Sequence, residues 1–344
     1  MASVIVGKTY GIAPDCTLYA AKCNSFYADV EWLLDKGVSV INCSFGWGGN
    51  YSYNEVDRWV DHIDMNHNVL LVKSAGNRDD NKVTSPGLAY NGITVGAYND
   101  GGTIIHTNDT VYTKTGYNEA ASIAENPDLL ATGVNITVPN LGTTTGTSLS
   151  APMVTGTVAL MIEANPDLCD EPGVLKSILL ASAFRKVDAD NYGLPTTGTI
   201  KSAALSEQEG AGKLDTKNAI YIVNSNRHKY EYLYSYMFPY TSSFYVEASE
   251  SQIRVALCWL KQNVNNSGIN DPSHDEFYLT EERNLSNLDL EIYDPNGNLV
   301  GYSRLENGNV ELVEFDPTVT GWYTIKVVGA TLRTEKDFIY LAWW

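Results

Sequence analysis

The stretch GTSLSAPMVTGTVALMIEA, residues 146–164, decides the reading of this chain. From Ser148 onward, Met153, Val154, Val158, Ala159, Leu160, Met161 and Ile162 surround a helix almost completely, so the helix is buried rather than amphipathic. Pro152 is expected in its first turn, where backbone N–H groups lack intrahelical partners and a missing donor costs little. Upstream, short apolar runs rich in β-branched residues occupy positions 17–23, 38–45, 69–74 and 93–98. They read as strands buried on both faces, as in a parallel sheet. Helical periods lie between them. Phe26, Val30, Leu33 and Leu34 share one face, and Val56, Trp59, Val60 and Ile63 share another with charged residues opposite. Strand and helix in alternation predict right-handed crossovers and a doubly wound, mostly parallel α/β sheet.

After about residue 225 the helical period stops and aromatic, alternating segments begin: YEYLYSYMF, QIRVALCWL, NLDLEIYDPNGNLVGYS, VELVEFDP and WYTIKVVG. Leu288, Leu290 and Ile292 alternate with Asp289, Glu291 and Tyr293, and Asp294-Pro295-Asn296-Gly297 supplies turn chemistry. Regularly spaced short strands predict an all-β sandwich of about 120 residues. The expected division is therefore 1–224 and 225–344, in keeping with 344 residues at roughly 150 per domain.

The balance of 23 basic against 41 acidic residues, a net charge of −18, argues against a nucleic-acid or anionic-membrane partner and favours a monomer. No run approaches a membrane span in length, and no basic segment followed by an apolar one opens the chain. The five cysteines, Cys16, Cys23, Cys43, Cys169 and Cys258, form no CxxC pair. Cys23, Cys43 and Cys258 lie in strand-like runs and are expected to be small buried hydrophobes.

A nucleophilic serine needs an exposed turn, a base and donors for an oxyanion. Gly146 and Thr147 allow close approach to Ser148, and a helix beginning there aims free N–H groups and its positive end at the site. An ordinary helix cap is the plain alternative for Ser148, as a turn residue is for Asn77. Asn77 nonetheless follows an apolar strand through Ser74, Ala75 and Gly76, at the strand end where active-site loops gather in doubly wound sheets. Its side-chain amide is a candidate oxyanion donor.

These stretches together resemble the subtilisin-like serine proteases. The motifs are Gly146-Thr147-Ser148-Leu149-Ser150-Ala151-Pro152, Ala75-Gly76-Asn77, and Ser44-Phe45-Gly46 after Val40-Ile41-Asn42-Cys43. GIAPDCTLYAAK, ITVGAYN, PDLLATGVNI and GAGKLDTKNA follow the same order, so the resemblance covers residues 1 to about 224. It implies a serine endopeptidase acting on protein or peptide substrates through an acyl-enzyme on Ser148, with the oxyanion held by the Ser148 N–H and the Asn77 side chain. It further implies that Ser44, Phe45 and Gly46 pair with extended substrate, and that Ser74, Ala75 and Gly76 line the main specificity pocket. Thr132 stands where the family usually has proline, and Arg78 is expected to be a solvated loop charge. Secretion follows from the resemblance alone.

The same family places its acid in a D-[ST]-G turn and its base in an H-G-T helix start, both before the serine. None of His62, His67, His106, His228 and His274 has that context, and all five are expected to be solvated. MASVIVGKTYGIAP matches the family's segment just after the base. The expectation is a chain starting about four residues downstream of it, inactive alone, with the sheet lacking an upstream strand. The contrasting expectation is a non-catalytic peptide-binding scaffold. A third, an unrelated hydrolase using His228 or His274, conflicts with the motif. No cofactor is expected. Residues 7–11 offer no acidic calcium ligands, while Asn287, Asp289 and Asp294 around a strand and turn of the sandwich are candidate oxygen ligands for calcium, with solvent-facing strand positions as the plain alternative.

Overall fold

The apolar runs upstream of Ser148 become neighbouring strands. The computed structural model describes residues 1–47, 51–118, 126–139, 141–184, 201–202, 205–264, 281–282, 285–332 and 336–344. Its first part runs α1 (Ala2–Val6), α2 (Phe26–Leu34), β1 (Val40–Cys43), α3 (Glu55–Asn66), β2 (Leu70–Ser74), β3 (Ile93–Asn99), β4 (Thr110–Val111), β5 (Leu129–Thr132), β6 (Ile136–Val138), β7 (Gly142–Thr144) and α4 (Thr147–Ala164). Then come α5 (Pro172–Ser182), β8 (Lys201–Ser202) and α6 (Thr216–Asn224). β1, β2, β3 and β5 pair in parallel in that order, with β4 antiparallel on β3.

Successive side chains of β2 serve opposite layers, as the pleat requires. Leu70 and Val72 join Val154, Val158 and Met161 of α4 and Ile178 and Leu179 of α5. Leu71 joins Phe26 and Val30 of α2 and Trp59, Val60 and Ile63 of α3. Helices thus cover both faces, which is the doubly wound arrangement expected.

Four local expectations fail. Residues 17–23 are exposed and pair with no described strand, so Cys23 is exposed as well. β1 spends one edge on β2, and beside its other edge lies a cavity of about 560 Å³ lined by Met1, Leu18, Phe26, Val30, Ile41 and Asn42 among others. An apolar run becomes a strand only where a ladder edge accepts its N–H and C=O groups.

The charged side of α3 is not solvated: Asp57, Asp61 and Asp64 are fully buried, and His62 is buried with them. Each carboxylate accepts backbone N–H groups instead. Asp57 serves Asn54 and Leu88, Asp61 serves Asn91 at 2.8 Å, and Asp64 serves Leu71 at 3.1 Å. Finally, Pro152 is the sixth residue of α4, beyond the first turn. The acceptor it leaves idle, the Ser148 carbonyl, takes a hydrogen bond from Ser44 Oγ at 3.0 Å. The helix tolerates the proline because another strand's hydroxyl replaces the lost donor.

The second part has strands β9 (His228–Tyr234), β10 (Tyr240–Val246), β11 (Ile253–Trp259), β12 (Asn263–Val264), β13 (Glu281–Glu282), β14 (Asn287–Tyr293), β15 (Leu299–Ser303), β16 (Val310–Phe315), β17 (Gly321–Thr331) and β18 (Lys336–Trp343). One sheet is ordered β10-β17-β14-β15-β8 and the other β16-β11-β18-β9, while β12 and β13 form a separate ribbon. Apart from the parallel β15–β8 pair, both sheets are antiparallel. Leu288, Leu290, Ile292, Tyr323 and Ile325 fill the space between them, as their alternation predicts.

The four-stranded sheet rests its outer face on α5. Ala256, Cys258, Tyr340 and Ala342 share one apolar cluster with Leu175, Ile178 and Leu179. At Gly173 the approach is so close that a Cβ would stand 2.4 Å from the Tyr340 ring. Asn91 and Lys261 exchange backbone–side-chain bonds of 3.0 and 2.8 Å across the same interface.

Candidate active site

Three chain segments converge at the carboxyl edge of the parallel sheet: the exits of β1 and β2 and the start of α4. Together they carry all eight candidate residues. Ser148 Oγ donates to the Ser44 carbonyl at 3.2 Å, and Ser44 Oγ returns a bond to the Ser148 carbonyl at 3.0 Å. Asn42 Nδ2 donates to Ser44 Oγ at 3.0 Å, and Thr155 Oγ1 of α4 donates to Asn42 Oδ1 at 3.3 Å. The exit of β1 is therefore fixed directly to the helix that carries Ser148.

Asn77 is oriented by Thr147. Its Oδ1 accepts Thr147 N–H at 2.8 Å and Thr147 Oγ1 at 3.2 Å, while Gly76 N–H donates to Thr147 Oγ1 at 3.1 Å. With its oxygen occupied, the amide leaves Nδ2 as the side available to a ligand. The residue between is glycine for a reason: Gly146 has φ +154 and is buried, and a Cβ there would stand 3.1 Å from Asn77 Nδ2. Ser148 is the second residue of α4, so its N–H has no intrahelical acceptor. Phe45 turns into an aromatic cluster, 5.8 Å from Phe26 and 5.4 Å from Trp47, and Trp47 N–H bonds the Ser85 carbonyl at 3.1 Å. Ser74 and Ala75 are buried, and Gly76 has φ +110.

Among the described residues no histidine bonds Ser148. His62 lies in the buried seam behind α3, with its ring 3.0 Å from Asn66 Nδ2. His106 stands beside Asp109 and Lys213 at 3.5 and 3.3 Å. His228 is half-buried in β9, and burial lowers its pKa. The expectation that all five histidines are solvated thus fails at His62; His67 and His228 are only partly exposed, and His274 lies outside the described residues. Arg78 pairs with Asp80 through Nε and Nη2 at 2.8 and 3.0 Å, and its charge stays in the loop.

Two of the sandwich residues considered for calcium have partners of their own. Asp294 accepts from Asn296 N–H, Asn298 N–H and Asn298 Nδ2 within its own turn, and Asp289 faces Arg304 at 3.9 Å. Among the described residues no group of three or more His, Cys, Asp or Glu side chains is arranged to hold a metal ion. No described helix is long and apolar enough to cross a membrane. One charged residue at the site escaped the sequence reading. Lys73, the penultimate residue of β2, is 2% exposed. The signal was a lysine inside a run otherwise read as buried on both faces.

Residues 1–212 match the subtilase family, and residues 241–329 match the bacterial pre-peptidase C-terminal domain. The chain is similar to the serine protease AprX of Bacillus subtilis (strain 168), 28% identical over 223 residues, covering 54% of this chain and 50% of that protein. It is 32% identical over 205 residues to an extracellular serine proteinase of Thermus sp., covering 54% of this chain and 45% of that protein. The chain thus spans half or less of the length of these curated relatives. The solved structure of the prenylagaramide maturation protease PagA is 25% identical, with a TM-score of 0.47 over 64% of this chain and 80% of that one.

Proposed function

We propose a function that starts from one fact, that this chain belongs to the subtilase family, whose members are serine endopeptidases. In this reading Ser148 Oγ attacks the scissile carbonyl of a protein or peptide substrate. The C–O bond to Ser148 forms, the peptide C–N bond breaks, and the amine departs with the proton a base has taken from the hydroxyl. The developing oxyanion is held by the Ser148 N–H and Asn77 Nδ2. Ser44, Phe45 and Gly46 pair with the extended substrate on one side, and Ser74, Ala75 and Gly76 form the opposite wall of the pocket. The observation that carries the reading is the orientation of Asn77, whose Oδ1 is tied to Thr147 N–H at 2.8 Å so that its donor side is free.

Ser148 donates to a carbonyl rather than to a base. The proposal therefore assigns the histidine and its acid to polypeptide outside these 344 residues, and holds that the 344 residues alone do not hydrolyse peptides. No cofactor is invoked, since acyl transfer at a serine needs none. The bond from Ser148 to the Ser44 carbonyl also suits the contrasting reading, a scaffold that binds peptides without cleaving them. We place the boundary of the peptidase part where α6 ends at Asn224, before β9 begins at His228. Export from the cell is part of the proposal, supported by the extracellular relative from Thermus and the second matched domain.

The test is labelling with a fluorophosphonate. The isolated chain is expected to react no faster than free serine, whereas the protein extended upstream through its base reacts rapidly and loses the label in Ser148→Ala. Rapid, Ser148-dependent labelling of the isolated chain would overturn the missing base. An extended protein inert at Ser148 would favour the scaffold.

A further inference from the structure

We propose that Lys73 is a specificity determinant of the substrate pocket, selecting peptides with an aspartate or glutamate side chain before the scissile bond. This rests on the peptidase reading above and adds a substrate class to it.

The argument begins with the pleat of β2. Leu70 and Val72 face α4, so Leu71 and Lys73 face the layer of α2 and α3. Lys73 stands in register with Cys43 of β1 on that face. The Lys73 stem packs past Gly87, whose Cβ position would lie 3.3 Å from Lys73 Cγ. The ammonium then turns back to the Ser74 carbonyl, with Ser74 Oγ at 3.5 Å.

That position is beneath the two glycines that wall the proposed pocket. A Cβ on Gly46 would meet Thr84 Oγ1 at 2.4 Å and Lys73 Nζ at 3.1 Å. A Cβ on Gly76 would meet the same Thr84 hydroxyl at 3.8 Å. Both glycines thus approach the Thr84 hydroxyl, and Gly46 also approaches the Lys73 ammonium. A hydroxyl and an ammonium at that depth suit a short acceptor rather than a large apolar side chain.

No described carboxylate is in direct contact with that ammonium. Among the described residues Lys73 makes no ion pair, and its hydrogen bonds go only to the carbonyl and hydroxyl of Ser74. Burying an ammonium without a counter-charge is costly, and the natural relief is a carboxylate brought by a ligand. Burial pushes Lys73 down to about 8, against the opposing pull of Cys43 on β1 and Asp57 on α3. Asp57 is already occupied by the N–H groups of Asn54 and Leu88, and burial pushes it up to about 6. The Cys43 thiol is itself pushed up to about 12 by burial. The neighbouring segment Thr84-Ser85-Pro86-Gly87 brings no titratable group.

The experiment measures binding rather than turnover, so the isolated chain suffices. Fluorescein-labelled peptide amides, four alanines followed by Asp, Glu, Asn or Phe, are titrated by fluorescence anisotropy into wild-type protein and Lys73→Met. A backbone N-methylated Asp peptide, which cannot pair with residues 44–46, is the control. The expected result is about tenfold tighter binding of Asp than Asn at pH 7. That preference is lost in Lys73→Met and lost in the wild type above pH 9, with a midpoint near 8. The wild-type pH profile decides the matter should Lys73→Met fail to fold. Equal binding of the Asp, Asn and Phe peptides, with no binding of the N-methylated Asp peptide, overturns the role of Lys73 while the peptide groove stands. Failure of every peptide to bind overturns the groove and the role of Lys73 together.

Discussion

Ser44 and Ser148 hold each other reciprocally: each hydroxyl donates to the other's backbone carbonyl, at 3.0 and 3.2 Å. The Ser148 carbonyl is the one that Pro152 leaves without an intrahelical donor, so Ser44 completes the ladder of α4 from a neighbouring strand exit. Ser44→Ala leaves that carbonyl unsatisfied and is expected to cost about 1–3 kcal/mol. Adding Pro152→Ala restores an intrahelical donor and should recover most of the loss. Urea denaturation of the two single variants and the double variant measures this, and strictly additive losses would show the coupling to be absent.

Asn77 Oδ1 is held by Thr147 while its Nδ2 is the proposed oxyanion donor, and Asn77→Asp separates the two ends. The retained Oδ1 keeps its bond from Thr147 N–H, so the midpoint of unfolding should change little. The lost Nδ2 removes the proposed oxyanion donor. In a protein supplied with its base, kcat should fall on the order of 10²–10³-fold, the loss known for such a donor in subtilisin itself. A variant with unchanged kcat would exclude Asn77 from the oxyanion site.

The buried carboxylates of α3 make stability depend on pH in an unusual direction. Burial raises Asp57 to about 6, Asp61 to about 7 and Asp64 well above its usual range, from an unfolded value of 3.8. Between pH 4 and 7 the folded protein holds protons that the unfolded chain has released, so stability falls as pH rises through that window. Lys73 works in reverse: lowered to about 8 from 10.5, it returns stability as pH rises from 8 towards 10.5. Unfolding free energies from urea titration should therefore be lower at pH 7 than at pH 5, by on the order of 2–5 kcal/mol. Asp61→Asn, which imitates the protonated acid, should flatten the acid side of the curve.

The sequence made the layers and the site legible for the same reason, that both depend on local pattern. The apolar runs of β1, β2 and β3, the all-round apolar α4 and the small residues before Ser148 and Asn77 are local features, and neighbours did not change them. What escaped detection was set by partners distant in sequence. Residues 17–23 carry a strand-like composition but meet no ladder. Asp57, Asp61 and His62 look solvated by helical period, yet they are buried against the segments around Leu88, Asn91 and Lys261. Lys73 stands inside an apolar run, and its neighbours Gly46, Thr84 and Gly87 come from segments distant in sequence.

The contact of Gly173 with Tyr340 makes the sandwich part of the first domain's core rather than an appendage. A Cβ at position 173 would stand 2.4 Å from two carbons of the Tyr340 ring. Gly173→Ala is accordingly expected to cost about 1–3 kcal/mol by overpacking. Tyr340→Leu should relieve much of that penalty when combined with it, and thermal denaturation of the cycle reads the coupling. Ending the chain at residue 224 would uncover the apolar side of α5, and an insoluble product is expected. A soluble, cooperatively unfolding fragment of residues 1–224 would show that the two parts fold independently.

Thiol reactivity tests whether residues 17–23 stand off the sheet. All five cysteines are free, and Cys23 alone among them is exposed. Cys43, on β1 across the cavity, is 2% exposed, and Cys258 is 1% exposed, each pushed up to about 12 by burial. Were residues 17–23 paired in the sheet, Cys23 would be as protected as Cys43. With the run unpaired, an aromatic disulfide reagent at pH 8.5 should modify Cys23 first and fastest. Cys16 and Cys169, both half-buried, should follow, and Cys43 and Cys258 should react only on unfolding. The modified residue is identified by peptide mass mapping after a short pulse. A pulse that leaves Cys23 untouched while Cys16 reacts would mean that the run has found a ladder and that the cavity beside β1 is closed in solution.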